Sequence, residues 1–225
     1  MIIRRVFIFL LFFTMTTVSQ AQTGVMTPET LWQLGRVNLA GVSADGSTVL
    51  YNVTTYDTHA DKGTTHIFAC NLSGASRQLT DGQTSAQAIG ITPGGRIAYM
   101  QEGQLWTMTA TGTDKRQASN IEGGIANVKF SPKGDAVLFT RDVKFRQTPA
   151  ELYPELPKAN VRIIDDLMYR HWNNWEDDMV SHVFYAPFNG TEVSGTGTDI
   201  MEGEPYDSPL TPFGGAEQLA WSPDG

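Results

Sequence analysis

Short runs of alternating apolar and polar residues recur along the chain, and each run is followed by a tight turn. In the clearest case Val128 and Phe130 flank a lysine, which is the two-residue period of a strand with one buried face. Pro132 sets one backbone angle of the turn that follows, and Gly134 tolerates the positive φ that closes it. Residues 136–139 are apolar throughout, as in a strand buried on both faces. The pattern predicts a β-hairpin.

A similar four-residue turn sequence that ends in glycine, called the turn phrase below, occurs at residues 43–46, 92–95, 131–134 and 222–225. The intervals are about 40–50 residues, apart from the last, which is about twice as long. A period of this size built from short strands is typical of a β-propeller, whose four-stranded blades stack around an axis and bury one another's faces. The alternative is a β-sandwich with similar hairpins, which does not require a fixed period. The repeat therefore favours a propeller.

The sequence predicts an all-β fold, an incomplete β-propeller of four-stranded antiparallel blades with three blades and the start of a fourth. Blade one is expected at about residues 37–80, blade two at about 86–119, blade three at about 125–212, and blade four from about 217. Propellers close with about four to eight blades. We therefore expect residues 27–225 to be the N-terminal part of a propeller that continues in a longer protein.

Residues 1–21 are predicted to be a signal peptide that precedes this fold. Arg4 and Arg5 form a basic start, residues 6–13 are apolar without interruption, and residues 19–21 offer small residues where a signal peptidase cleaves. The apolar run is shorter than the roughly 20 residues of a membrane span. An uncleaved N-terminal anchor is the alternative. We expect a secreted or periplasmic protein with no membrane span once the signal is removed.

The charge balance argues against two classes of partner. The formal net charge is −8 and the pI is about 4.9, and removal of Arg4 and Arg5 makes the chain more negative still. Nucleic acids and anionic membrane surfaces bind Lys and Arg, so neither is an expected partner. Cys70 is the only cysteine, which rules out a disulfide within the chain.

The motifs predict neither a metal nor a cofactor. Asp57, His59 and Asp61 lie in a polar stretch, residues 54–65, that is predicted to be a solvated loop, and their spacing fits no standard metal site. The H-E-x-x-H motif is absent, and residues 195–197 lack the third glycine of a dinucleotide site. The nucleophile elbow G-x-S-x-G is absent as well. No catalytic residue is therefore assigned within this sequence.

Blade three contains a long insert, at about residues 141–180, between its second and third strands. Loops of this length in compact domains are usually functional or carry their own structure. Leu167, Met168, His171, Trp172 and Trp175 recur at the spacing of three to four residues that a helix requires. The spacing predicts that part of the insert is a helix with one aromatic face. Three acidic residues follow directly: Glu176, Asp177 and Asp178. Carboxylates beside aromatic walls suit an ammonium group, so these three are the candidate substrate-binding residues; the alternative is a solvated helix end.

Two segments resemble a known family. Residues 27–36, together with the turn at residues 43–46, resemble the opening of secreted peptidases of the prolyl oligopeptidase family. The acylaminoacyl-peptidase and dipeptidyl-peptidase V branch is the nearest match. Residues 166–175 resemble the same branch at the same place in its propeller. The resemblance spans residues 27–225.

The resemblance implies a propeller of about seven or eight blades that caps a C-terminal α/β-hydrolase domain. That domain would carry a Ser-Asp-His triad, which these residues do not contain, and the propeller would filter short peptide substrates by size. In related dipeptidyl peptidases a pair of propeller glutamates binds the free peptide N-terminus. The acidic run at residues 176–178 is not that Glu pair, but it is the candidate for the same role.

The resulting hypothesis is that this chain is the propeller portion of a secreted serine peptidase. Its expected substrates are short peptides, and its expected partner is the hydrolase domain of the same parent chain. Whether this chain is itself an enzyme stays open. The rival is a non-enzymatic periplasmic binding or scaffolding propeller. The rival would share the turn phrase and the signal peptide, but it would not need the long aromatic insert.

Overall fold

The computed structural model describes residues 24–225 apart from residues 166, 168, 177 and 211. The predicted signal peptide, residues 1–21, therefore lies outside the described residues. The chain divides after Leu34 into two units, which are described separately. Within the described residues, no helix combines the length and the apolar character needed to cross a membrane.

The first unit contains helix α1 (Pro28–Gln33), which Thr27 caps at its N-terminus. The Oγ1 atom of Thr27 accepts a hydrogen bond from the backbone N–H of Thr30 at 3.2 Å. Proline occupies the first helical turn, where its missing N–H has no helical partner to lose. Glu29 lies in the same turn, where the helix dipole favours a negative charge.

The described residues of the second unit form three four-stranded antiparallel sheets and one two-stranded hairpin. The first sheet contains β1 (Arg36–Val42), β2 (Thr48–Asp57), β3 (Lys62–Asn71) and β4 (Ser76–Gln78), in that order. The second contains β5 (Ala86–Ile91), β6 (Ile97–Gln101), β7 (Gln104–Met108) and β8 (Arg116–Gln117), in that order. The third contains β9 (Ala126–Phe130), β10 (Ala136–Lys144), β13 (Met179–Pro187) and β14 (Thr198–Asp199), in the order β14-β13-β10-β9. Between β10 and β13 lie helix α2 (Pro149–Leu152) and the hairpin of β11 (Arg170–His171) and β12 (Asn174–Trp175). A 3₁₀ turn at Ala216–Gln218 follows the third sheet.

The four repeated turns share one geometry, as their common sequence predicts. In each turn the backbone N–H of the last residue donates to the carbonyl of the residue three positions earlier, at 2.8–3.1 Å. That last residue is always a glycine with positive φ, between +70° and +91°. The four donors are Gly46, Gly95, Gly134 and Gly225. A side chain at these positions would strain the backbone, because L residues rarely adopt this conformation.

The core lies between successive sheets. Leu50 and Ile67 of the first sheet pack in one buried cluster with Ala88 and Tyr99 of the second. A second cluster joins the second and third sheets, and its largest members include Leu105, Val137, Phe139 and Phe184. Adjacent sheets thus bury apolar residues against each other, as the stacked blades of a propeller do. The prediction of an all-β fold built from four-stranded antiparallel blades is confirmed.

Asn52 connects the first two sheets through polar contacts inside this core. Its side-chain nitrogen donates to the carbonyl oxygen of Ala88 at 3.0 Å, and its Oδ1 accepts from the N–H of the same residue at 2.8 Å. The side chain is 2% exposed, so water does not replace these bonds. They satisfy a backbone N–H and C=O of the second sheet at the point where β5 has a register irregularity, between Ala88 and Gly90.

The first sheet extends further than its sequence suggests. Residues 54–65 do not form the predicted loop, because β2 and β3 stay paired as far as Asp57 and Lys62. Thr54 and Thr65 face each other across the strands, with their hydroxyl oxygens 2.8 Å apart. Cross-strand hydroxyl contacts of this kind stabilise a sheet without apolar alternation.

Residues 219–221, predicted to begin the first strand of a fourth blade, are not in a strand within the described part of the chain. Leu219 and Trp221 instead pack against Leu138 of the third sheet. The indole Nε1 of Trp221 donates to the carbonyl oxygen of Lys129 at 3.2 Å, and the Lys129 ammonium donates to the carbonyl of Leu219. This segment covers part of the apolar face of the third sheet.

Replacement of Asn52 by alanine tests the polar link between the sheets. We expect Asn52→Ala to lower the free energy of unfolding by roughly 2 kcal/mol, because it leaves a buried N–H and C=O without partners. Urea denaturation followed by circular dichroism measures the change. Asn120→Ala, at an exposed position, is the matched control and should change stability by less than about 0.5 kcal/mol. Equal effects of the two substitutions would contradict this account.

Candidate functional site

The insert in the third sheet begins and ends at the same end of a buried strand pair. Strands β10 and β13 stay in register up to Lys144 and Met179. The backbone N–H groups of Phe145 and Arg146 then both donate to the carbonyl oxygen of Asp178, at 2.8 and 3.1 Å. The base of the insert therefore extends the β10–β13 pair and brings Arg146 beside Asp178.

Helix α2 is held at the start of the insert by its own cap. The backbone N–H of Thr148 donates to Oε2 of Glu151 at 2.8 Å, and the N–H of Glu151 donates to the Thr148 hydroxyl at 3.3 Å. This reciprocal pair is a capping box. The ammonium of Lys144, at the end of β10, forms an ion pair with Glu151. The hydrogen bond from Lys144, followed by those from Thr148, lowers the pKa of Glu151 to about 2.

Residues 169–175 do not form the predicted aromatic helix. Strands β11 and β12 pair as a hairpin instead, and Trp172 lies in the turn between them with φ +48°. The asparagines at positions 173 and 174 favour a reversal, since their side chains compete for backbone hydrogen bonds. The three-residue spacing of Trp172 and Trp175 therefore arises from a turn and not from a helix face.

The ring of Trp175 already has cationic partners. The Cζ atoms of Arg162 and Arg170 lie 4.2 and 4.9 Å from its centroid, and the ring of Tyr169 stacks on it at 6.2 Å. These contacts fix the orientation of the indole within the hairpin. The Trp175 ring therefore already has two guanidinium groups as cation–π partners.

The structure describes two of the three predicted substrate-binding residues. Glu176 is exposed, and its backbone N–H donates to the carbonyl oxygen of Tyr169 at 2.9 Å. Asp178 is half-buried at the base of the insert. Asp177 lies outside the described residues. Glu176 and Asp178 both line the same two clefts.

The first of these, which we call the acid cleft, has a volume of about 440 Å³. Four carboxylates line it: Asp142, Glu176, Asp178 and Asp207. His171 and Trp175 contribute its aromatic walls. Among the described residues that line this cleft there is no lysine or arginine. Such a concentration of negative charge favours a cationic ligand, since each carboxylate gains by pairing with it.

Sequence reasoning missed Asp142 and Asp207. Asp142 lies near the end of β10, and Asp207 lies in the loop after β14. The Oδ1 atom of Asp207 accepts a hydrogen bond from the backbone N–H of Ser181 at 2.7 Å, which holds this loop against β13. Neither aspartate belongs to a recognisable motif, so only their proximity to Glu176 in the folded chain reveals them.

The second cleft, which we call the mixed cleft, has a volume of about 380 Å³. Three carboxylates and two guanidinium groups line it: Asp165, Glu176, Asp178, Arg146 and Arg162. Pro149 and Leu152 of α2 form an apolar part of its wall. The capping box of α2 therefore also positions one side of this cleft.

Stacked four-stranded antiparallel blades with a charged insert define this chain as a β-propeller. Its fold is similar to that of acylaminoacyl peptidase from Pyrococcus horikoshii, with a TM-score of 0.54 over 74% of this chain and 25% of that one. The two sequences are 16% identical, so this likeness concerns the fold alone.

Comparison of sequences identifies much nearer relatives. The chain is 46% identical to dipeptidyl-peptidase 5 of Porphyromonas gingivalis over 219 residues, which cover 94% of this chain and 32% of that protein. It is 34% identical to dipeptidyl-peptidase 5 of Porphyromonas endodontalis over 93% of this chain and 31% of that protein. The chain is thus homologous to dipeptidyl-peptidase 5 over nearly all of its length, which confirms the resemblance found in the sequence. It spans about a third of the length of these curated relatives. No protein-family model matches it.

Titration of Glu151 tests the cap that positions the mixed cleft. Because its folded pKa lies near 2 and its ordinary value is 4.5, its contribution to stability is present above pH 4.5 and is lost as the pH falls towards 2. We expect Lys144→Gln to raise the pKa of Glu151 towards 4.5, while the Thr148 bonds keep it somewhat lowered. Nuclear magnetic resonance titration of the Glu151 carboxyl carbon measures this value. Lys158→Gln, an exposed change in the same insert, should leave it unaltered; an unchanged pKa in Lys144→Gln would refute the ion pair.

Proposed function

We propose that this chain is the propeller portion of a secreted serine peptidase that acts on short peptides. The propeller would control access of substrates to a catalytic α/β-hydrolase domain in the rest of the parent protein. The relatives with 46% and 34% identity are dipeptidyl-peptidases about three times as long as this chain. Their additional length supports a further domain that carries the catalytic residues.

The observation that carries the proposal is the identity with dipeptidyl-peptidase 5 over 94% of this chain. Because the alignment covers 94% of this chain, it includes the charged insert, which a blade does not need for its own packing. A non-enzymatic binding or scaffolding propeller accounts for the blades but not for this relationship. The comparisons therefore favour the peptidase over its rival.

Within this proposal Glu176 and Asp178 bind the free amino group of the peptide, and Asp142 and Asp207 reinforce the negative potential of the acid cleft. A unit charge pair at 4 Å in an effective dielectric of 20 is worth about 4 kcal/mol before desolvation. A cleft of about 440 Å³ lies within the usual range for small-molecule sites, roughly 300–1,000 Å³. Binding of the amino group would position the chain end and so select short peptides with a free N-terminus.

Secretion is part of the same proposal. Its support is the basic and apolar pattern of residues 1–21, which matches an export signal. Recovery of the processed protein from the periplasm or the culture medium would test this assignment directly.

The reading frame of the parent protein provides the simplest test of the catalytic assignment. We expect a G-x-S-x-G elbow downstream of position 225, because the nucleophilic serine of an α/β-hydrolase domain lies on that strained turn and these 225 residues lack it. Purified alone, this chain should hydrolyse no dipeptidyl substrate. Hydrolysis by this chain, free of host peptidases, would contradict the proposal that the catalytic residues lie in a separate domain.

The amine-binding role is tested in the full-length parent by replacing its carboxylates. We expect Glu176→Gln and Asp178→Asn each to raise KM for a dipeptidyl anilide with a free amino group by roughly ten- to hundredfold, as loss of a charged hydrogen bond does. The N-acetylated anilide lacks the ammonium, so its residual kinetics should not change. Steady-state assays with both substrates make the comparison.

Glu155→Gln is the matched control for these substitutions. Glu155 is an exposed acid of the same insert and lines neither the acid cleft nor the mixed cleft. Its replacement should leave both substrates unaffected. If the Glu176 and Asp178 variants raise KM equally for the free and the N-acetylated anilide, these residues contribute to stability and do not bind the amino group.

A further inference from the structure

The guanidinium of Arg146 is unengaged within the mixed cleft. Among the described residues, no hydrogen bond or ion pair involves its side chain, while its backbone N–H is fixed by the carbonyl of Asp178. The other guanidinium of this cleft, that of Arg162, already lies over the ring of Trp175 at 4.2 Å. A cation on an anchored backbone, in a cleft with open volume, is suited to hold an anionic group of a ligand.

The opposite charge lies in the same cleft. Glu176 and Asp178 line the mixed cleft together with Arg146. The backbone carbonyl of Asp178 accepts a hydrogen bond from the backbone N–H of Arg146, so these two residues are neighbours at the base of the insert. An extended dipeptide spans about 7 Å, at about 3.3–3.6 Å per residue, and carries an ammonium at one end and a carboxylate at the other. A volume of about 380 Å³ accommodates it with room for side chains.

We infer that the mixed cleft binds free dipeptides as zwitterions. The carboxylate of the dipeptide pairs with the Arg146 guanidinium, whose planar fork matches two carboxylate oxygens. The ammonium pairs with Glu176 and Asp178. The ammonium half of this inference rests on the proposed function, whereas the carboxylate half rests on Arg146 alone.

This arrangement distinguishes the dipeptide product from the longer peptide substrate. In a longer peptide the second residue continues as a neutral amide, which offers Arg146 no charge. After cleavage the released dipeptide ends in a carboxylate. Because Glu176 and Asp178 line both clefts, its ammonium can stay paired with them while its carboxylate pairs with Arg146 in the mixed cleft. The cleft is therefore a product-binding site, and free dipeptides should occupy it more tightly than the corresponding amides.

Isothermal titration calorimetry with three ligands tests the inference on the purified chain. The probes are Ala-Ala, its C-terminal amide, and N-acetyl-Ala-Ala. We expect amidation to weaken binding roughly tenfold or more, since it removes one charged pair. Arg146→Gln should weaken the binding of Ala-Ala by a similar factor and leave that of the amide unchanged. Lys158→Gln removes an exposed positive charge of the same insert that lines neither cleft, and it should change neither affinity.

The outcomes separate this inference from the proposed function. Equal binding of Ala-Ala and its amide, or no binding of any probe at millimolar concentration, overturns the carboxylate site. If N-acetyl-Ala-Ala binds as tightly as Ala-Ala, the ammonium role of Glu176 and Asp178 fails while the role of Arg146 stands. The comparison of ligands uses the unaltered protein, so it does not depend on how any variant folds.

Discussion

The structure depends on the burial of apolar sheet faces by neighbouring sheets. A single four-stranded blade has no core of its own, and the large buried side chains here lie between blades, as Tyr99 and Phe139 do. Phe139 also stacks on Phe184 of the adjacent strand, with ring centroids 5.7 Å apart. In each of the three sheets the first two strands are joined by the same glycine-closed turn. The buried side chain of Asn52 adds a polar constraint that specifies how two blades meet.

The candidate site takes its position from this core. The insert continues the β10–β13 pair, so its base at Arg146 and Asp178 is held by backbone hydrogen bonds. Glu176 and Asp178 line both the acid cleft, where Asp142 and Asp207 join them, and the mixed cleft, which also contains two guanidinium groups. The same two carboxylates thus contribute to one cleft lined by acidic groups and to another lined by groups of both charges. This combination suits a surface that selects small peptides by the charges at their ends.

The amino-acid sequence by itself determined the features that arise from near neighbours along the chain. The four repeated turns follow from the glycines that close them, as at Gly134, and alternating apolar residues indicate the strand pairs that three of these turns join. The start of α1 follows from the side-chain oxygen of Thr27. The position of the insert followed from the gap between two strand patterns, and its acidic run at residues 176–178 was visible directly. All of these depend on interactions within a few residues, which local sequence encodes.

Only the tertiary structure decided the rest. Residues 54–57 and 62–65 lack the apolar alternation that distinguishes a strand from a loop. Their pairing across β2 and β3, with Thr54 opposite Thr65, shows that they form strands. The spacing of Trp172 and Trp175 suits a helix as well as a tight turn, and the paired strands β11 and β12 exclude the helix. Asp142, Asp207 and Arg146 join the acidic run because the fold brings distant segments together. Contacts between residues far apart in sequence leave no local pattern, and for that reason the composition of both clefts became visible only in three dimensions.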